Sequence, residues 1–280
     1  MEFLFSGFAD EAGVTIEEQM DVLEKNGFKY IEMRGVDGKH ILQWDDAALA
    51  VIKEKMDKRG FKLSAIGSPV GKSKITDPFE EDLERFKRSV HCAKFFGCKY
   101  IRAFSFFTPI NAPRANYWDE AVRRIKEMVA IAEDNNLVYA LENESSIFTD
   151  TLEPCIKIFE EIKSPAFLLA FDPGNFIRNE VKSYPKAYNA LRDKIAYFHI
   201  KDATGDKFVP SEEGEADMAA MLKDAYNTGF DGFLSIEPHL AYLEDLTKAQ
   251  QFSTACNALK KSLNKGLGLN LPLVDLNDFL

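Results

Sequence analysis

Four acidic or imidazole side chains stand at the ends of four successive apolar runs: Glu142 in YALENE, Asp172 in LAFDPGN, His199 in AYFHIKD and Glu237 in LSIEPH. Three carboxylates and one imidazole make a hard, oxygen-dominated donor set. It suits Mn²⁺, Mg²⁺ or Co²⁺ with positions open for substrate oxygens better than a closed tetrahedral Zn²⁺ site, although Zn²⁺ accepts the same ligand types. Without a cation the carboxylates would repel one another. Each residue also has a plainer use: a strand-end Asp caps the next helix, a Glu pairs with a nearby Lys, and a lone His packs as a structural residue. Four such endings in regular succession point to one shared site.

Convergence of strand ends requires a fold that brings them together. Short β-rich runs alternate with longer amphipathic segments almost to the C-terminus. The strand candidates are FLFSGFA, KYIEMRG, FKLSAIGS, KYIRAFSF, LVYALENE, FLLAFDPG, IAYFHIKD and GFLSIEP. Between them, TIEEQMDVLEKNG predicts a helix with Thr15 as its cap, Glu18 three residues on, an apolar stripe of Ile16, Met20 and Leu23, and Gly27 as its stop. The pattern recurs in DDAALAVIKEKMDKRG, FEEDLERFKRSVHCAKFFG, YWDEAVRRIKEMVAIAEDNN and DMAAMLKDAYNTG. Strand and helix repeated eight times predict a (β/α)₈ barrel in a single α/β domain. A doubly wound open sheet is the rival, but no Gly-rich dinucleotide loop follows the first strand, and the polar strand ends recur around the series rather than at one switch point. Residues 1–261 are read as the barrel, and 262–280 as an extension packing on the barrel or a neighbouring subunit, which makes a homodimer or homotetramer an expectation.

Composition narrows the partners. With 280 residues and 46% hydrophobic content the chain can bury a large core. A net charge of −10 disfavours a nucleic-acid backbone as partner. Neither a membrane span nor a secretory leader is visible, so a soluble cytoplasmic protein is expected. The cysteines Cys92, Cys98, Cys155 and Cys256 form no CxxC pair and read as buried thiols.

Taken together, YIEMRG, IGSPVGK, YIRAFSF, LENE, FDPGN, YFHIKD and SIEPHL resemble the sugar phosphate isomerase/epimerase family of the xylose isomerase-like TIM barrels over roughly residues 1 to 260. That family includes ketose 3-epimerases, hydroxypyruvate isomerases and inosose dehydratases. The resemblance implies one divalent metal held by Glu142, Asp172, His199 and Glu237. It departs at two places: many ketose epimerases carry a histidine three residues after the Asp ligand, where Asn175 stands here, and a Gly-rich turn after the HIKD strand, where this chain has PSEEGEAD. Both changes fall in the substrate pocket.

The implied reaction is proton abstraction beside the carbonyl of a sugar or sugar phosphate, with the resulting enediolate stabilised by the metal. Glu142 and Glu237 are the expected catalytic pair, one as base and one as acid, with Asp172 and His199 chiefly ligands. Lys201, two residues beyond His199, falls on the same side of an extended strand and can meet developing charge or a substrate hydroxyl or phosphate; an exposed salt bridge is its plainer alternative. Arg102, Ser68, Lys72, Glu32 and His239 complete the expected substrate pocket, with Gly67 and Gly71 permitting close backbone approach. Glu32 has the alternative of an ion pair at the rim, and His239 that of starting the last helix. Phe104 to Pro109 and Trp118 offer an apolar wall, with core packing as the alternative. A dehydratase can use the same site on a cyclic polyol ketone, and a non-catalytic sugar-binding barrel is the reading from another class. A phosphodiester hydrolase of the endonuclease IV kind would need a histidine-rich multi-metal cluster and a DNA-binding surface, which this acidic chain lacks.

Overall fold

The computed structural model describes residues 3–279. Eight strands form one parallel sheet: β1 (Leu4–Gly7), β2 (Tyr30–Met33), β3 (Lys62–Gly67), β4 (Tyr100–Ala103), β5 (Val138–Glu142), β6 (Phe167–Phe171), β7 (Ile195–Ile200) and β8 (Phe233–Ile236). From β2 to β8 each strand pairs with its sequence neighbour, and β8 returns to β1. The sheet is thus a nearly closed barrel. Inside it the Ser6 and Ser64 hydroxyls meet at 2.6 Å, tying β1 to β3 across β2.

The strands are apolar on both faces because one lines the interior and the other supports helices. All five residues of β5 are buried. An inner cluster of Ala65, Ala140, Ala170, Ala196 and Tyr197 is separate from the larger core packed between sheet and helices. Around the strands run α1 (Ile16–Lys25), α2 (Asp46–Lys58), α3 (Phe79–Phe96), α4 (Trp118–Asp134), α5 (Leu152–Glu161), the short α6 (Pro173–Arg178) and α7 (Tyr188–Leu191), α8 (Met218–Asn227) and α9 (Lys248–Leu267). Thr15 and Glu18 form a reciprocal capping box at the start of α1. The expected eight-fold alternation is therefore the observed architecture.

Two features differ from the sequence reading. First, α9 runs through residue 261 and stops only where Gly268 adopts a left-handed conformation, so the extension begins later. It folds back on its own barrel: Asn257 and Asn264 side chains bond the backbone of Val274 and Leu271, and Phe279 is buried. Second, the β7–α8 connection carries a hairpin of Asp202–Thr204 and Lys207–Val209 that packs along α6. Among the described residues no helix is long and apolar enough to cross a membrane.

Candidate metal centre

Glu142 is the last residue of β5, and Asp172 directly follows β6. His199 is the penultimate residue of β7 and lies opposite Ser235 on β8, two residues before Glu237. Parallel register therefore delivers all four side chains to the C-terminal mouth, where one ligand atom from each lies within 4.8 Å of the others. His199 Nδ1 is 3.4 Å from Glu142 Oε1, 3.7 Å from Asp172 Oδ2 and 3.7 Å from Glu237 Oε2. All four residues are buried.

Asp172 combines the two uses weighed for it. Its Oδ1 accepts the Asn175 backbone N–H at the start of α6, with Pro173 as the first helical residue, while Oδ2 faces the cluster. Capping fixes the carboxylate's orientation. The Asn175 amide then donates to Glu142 Oε1 at 3.1 Å and to the Asn143 carbonyl.

Glu32 lies behind His199 rather than against the substrate space. Its Oε1 is 3.3 Å from His199 Nε2 and accepts from Tyr197 at 2.9 Å, while Oε2 accepts from Ser235 at 2.6 Å. A carboxylate holding one imidazole nitrogen turns the other toward the cluster, the usual support for a metal-binding histidine. Arg102 sits between the Phe8 and Phe104 rings, with Nε 3.3 Å from Glu142 Oε2 and its guanidinium bonded to the Ser68 carbonyl. Ser68 is fully buried and donates its hydroxyl to the Arg102 carbonyl, so it braces this loop. The loop needs Gly71: at φ +79°, a Cβ there would stand 2.2 Å from the Phe104 carbonyl oxygen.

Lys201 reaches into the cluster. Its Nζ is 2.5 Å from Glu237 Oε2 and 2.7 Å from Asp172 Oδ2, the second contact not aligned as a hydrogen bond. Lys72 is at the half-exposed rim, paired with Glu144 at 3.0 Å. His239 has φ +48° in the turn after β8, well before α9, with Nε2 3.3 Å from Glu237 Oε1. Trp118 begins α4 and bonds Glu161; of the proposed apolar wall, Phe104 touches the site through Arg102.

The charges are strongly linked. Burial alone would lower the His199 pKa, but the Glu142 and Glu32 carboxylates raise it well above the ordinary imidazole value. Burial likewise opposes charge on Lys201, and Asp172, Glu237 and Glu142 outweigh it. Burial pushes Glu142 up, yet His199 and Arg102 bring it to about 2. Glu237 is held well below its usual range because Lys201 and His239 overcome burial, whereas burial wins at Asp172 and raises it.

The donor set fits a divalent cation. His199 Nδ1, Glu142 Oε2 and Asp172 Oδ2 are buried without hydrogen-bond partners, an arrangement that native structures rarely leave unfilled. A cleft of about 410 Å³ lies at the opposite barrel end by Tyr30, Tyr100 and Phe233, away from this cluster.

Sequence reasoning missed four neighbours. Arg34 holds Asp10 at 2.8 Å and Glu11 at 3.1 Å, and lies 3.6 Å from Glu237 Oε1. Phe208, on the hairpin, places its ring centre 5.1 Å from Lys201 Nζ and 5.1 Å from the His239 ring. Arg34 follows a strand end in YIEMRG, a usable signal; nothing local marks Phe208.

Eight parallel strands, intervening helices and a polar cluster at the strand ends define a TIM barrel. Residues 20–261 match the xylose isomerase-like TIM barrel family, and the chain belongs to that family. Solved structures similar in fold include the IOLI protein with a bound zinc atom, at TM-score 0.77 and 20% identity, covering 96% of this chain and 100% of that one. A D-tagatose 3-epimerase-like protein matches at TM-score 0.75 and 18% identity, with 95% and 98% covered. The probable 3-DHS dehydratase AsbF from Bacillus anthracis matches at 0.70 and 19%, with 90% and 97% covered. A protein described as epimerase-like and one described as a probable dehydratase thus share this fold.

Proposed function

We propose that this protein is a divalent-metal-dependent isomerase or epimerase acting on a ketose sugar or sugar phosphate. The observation carrying this reading is the convergence of Glu142, Asp172, His199 and Glu237 with three buried ligand atoms that have no hydrogen-bond partner. Those four residues would hold Mn²⁺, Mg²⁺, Co²⁺ or Zn²⁺. A bound cation supplies electrostatic stabilisation for negative charge developing on substrate oxygens.

Glu142 and Glu237 both have lowered pKa values, so either is available as a proton acceptor at neutral pH. Glu142 ends β5 and Glu237 directly follows β8. Epimerisation needs a proton donor on the face opposite the acceptor. The carboxylate that takes the proton as base becomes the acid of the reverse step, and Lys201, bonded to Glu237 Oε2 and held as an ammonium by its raised pKa, is the protonated donor on the Glu237 side. Asn175 and Arg102 hold Glu142 in place. Burial of the cluster excludes water from these transfers.

The contact of Lys201 with Glu237 also favours a second reading, a dehydratase, in which this ammonium protonates a departing β-hydroxyl. The decisive measurement has two parts. Purified protein should carry a single divalent ion per chain by elemental analysis, and Asp172→Ala and His199→Ala should lose it while remaining folded; undiminished metal affinity refutes the site. A ketose panel in heavy water should show metal-dependent deuterium incorporation beside the carbonyl, with loss of water marking the dehydratase. Absence of either reaction across the panel refutes catalysis and favours a sugar-binding barrel.

A further inference from the structure

Arg178, the last residue of α6, is unlike every other arginine in the described residues. Arg34, Arg59, Arg85, Arg88, Arg102, Arg114, Arg123, Arg124 and Arg192 each have a carboxylate within ion-pair distance. Arg178 has no such partner among the described residues, and its Nε is buried with no hydrogen-bond acceptor. A guanidinium carries five donors in a planar fork suited to a two-oxygen anion. Arg178 is half-buried, and leaving its buried Nε unused, with no carboxylate beside the fork, calls for an acceptor from outside the chain.

Its position says which acceptor. The guanidinium carbon lies 4.6 Å from the centre of the Phe208 ring, and the same ring is 5.1 Å from Lys201 Nζ and 5.1 Å from the His239 imidazole. One aromatic side chain therefore gathers three basic groups beside the candidate metal centre. The hairpin bearing Phe208 is anchored: Asp202 Oδ1 accepts the Ala203 and Ala216 N–H groups, and a Cβ on Gly214 would stand 2.1 Å from the Asp202 carboxyl. The hairpin packs along α6, so Arg178 and Phe208 are held in one built unit.

We propose that Arg178, seated against Phe208, recognises an oxyanion on the substrate, a phosphate or carboxylate carried at the end remote from the reacting carbonyl. Its place in catalysis rests on the isomerase reading above; the anion binding does not. The substrate class is accordingly an anionic sugar rather than a neutral one.

The test separates these two claims. Inorganic phosphate and acetate are titrated calorimetrically into the full chain after EDTA treatment, for wild type, Arg178→Met and Arg178→Lys. Methionine preserves the stem packing, and circular dichroism confirms the fold. Wild type should bind at least one probe saturably, Arg178→Met should weaken it by about ten-fold or more, and lysine should fall between. Preference for phosphate assigns a sugar phosphate, and preference for acetate a sugar acid. Failure of wild type to bind either probe, or equal affinity in Arg178→Met, overturns the proposal. In the deuterium-exchange assay with a free pentulose and its phosphate ester, Arg178→Met should raise KM for the ester alone; an equal rise for both overturns anion recognition in favour of a structural role. Anion binding lost in Arg178→Met without exchange by any ketose supports this site and refutes the reaction.

Discussion

Asp202 offers a pH-dependent test of how the β7–α8 connection is held. The side chain is fully buried, its Oδ1 accepts from the backbone of Ala203 at 2.8 Å and Ala216 at 3.0 Å, and its Oδ2 has no partner. Burial raises its pKa from 3.8 to about 7, outweighing the backbone donors of Ala203, Ala216 and Glu215 that favour the ionised form. A carboxyl whose folded pKa lies above its unfolded value binds a proton in the folded state that the unfolded chain has released. Its contribution is therefore intact below about pH 4, erodes as pH rises and is fully lost above about pH 7. A shift of about 3 pH units at about 1.4 kcal/mol each gives an upper bound of about 4 kcal/mol. Asp202→Asn keeps the Oδ1 acceptor and places an uncharged group where Oδ2 stood, resembling the protonated acid. The variant should match wild type near pH 4 and exceed it progressively to pH 8, by up to about 4 kcal/mol. Denaturant unfolding of both proteins at matched pH values cancels the titration of all other groups. A stability difference that stays constant from pH 4 to 8 would falsify the reasoning.

Two further substitutions probe the site's supports. Glu32→Gln keeps the shape behind His199 but weakens the hold on its Nε2, and should lower Mn²⁺ affinity by about 10- to 100-fold; calorimetry giving wild-type affinity would remove Glu32 from this role. Gly71→Ala forces a Cβ against the Phe104 carbonyl at positive φ and should cost more than about 1 kcal/mol, with wild-type thermal stability as the contrary result.

Local chemistry is written directly into the chain. The capping box of Thr15 and Glu18, the stop at Gly27 and the alternation of buried strands with amphipathic helices depend on residues a few positions apart. They can be read without knowing the fold. The placement of Glu142, Asp172, His199 and Glu237 was legible for a related reason. In a parallel barrel every strand exposes its C-terminal end at the same mouth, so a strand boundary also gives a three-dimensional address.

Roles requiring partners far along the chain were not legible. Glu32 and Ser68 both sit near strand ends, yet one reaches His199 across 167 positions and the other bonds the Arg102 backbone across 34. The same address can thus serve the site or only brace it. Arg178 and Phe208 meet because a hairpin folds along a short helix, a meeting that no spacing encodes. The sequence alone pointed to the barrel and to the four side chains that gather at its mouth, since periodicity and strand ends are local properties. Only the tertiary structure decided which nitrogen of His199 faces the cluster, which carboxylate stands behind it and which arginine lacks a counter-charge, because those depend on how distant loops and side chains close around one point.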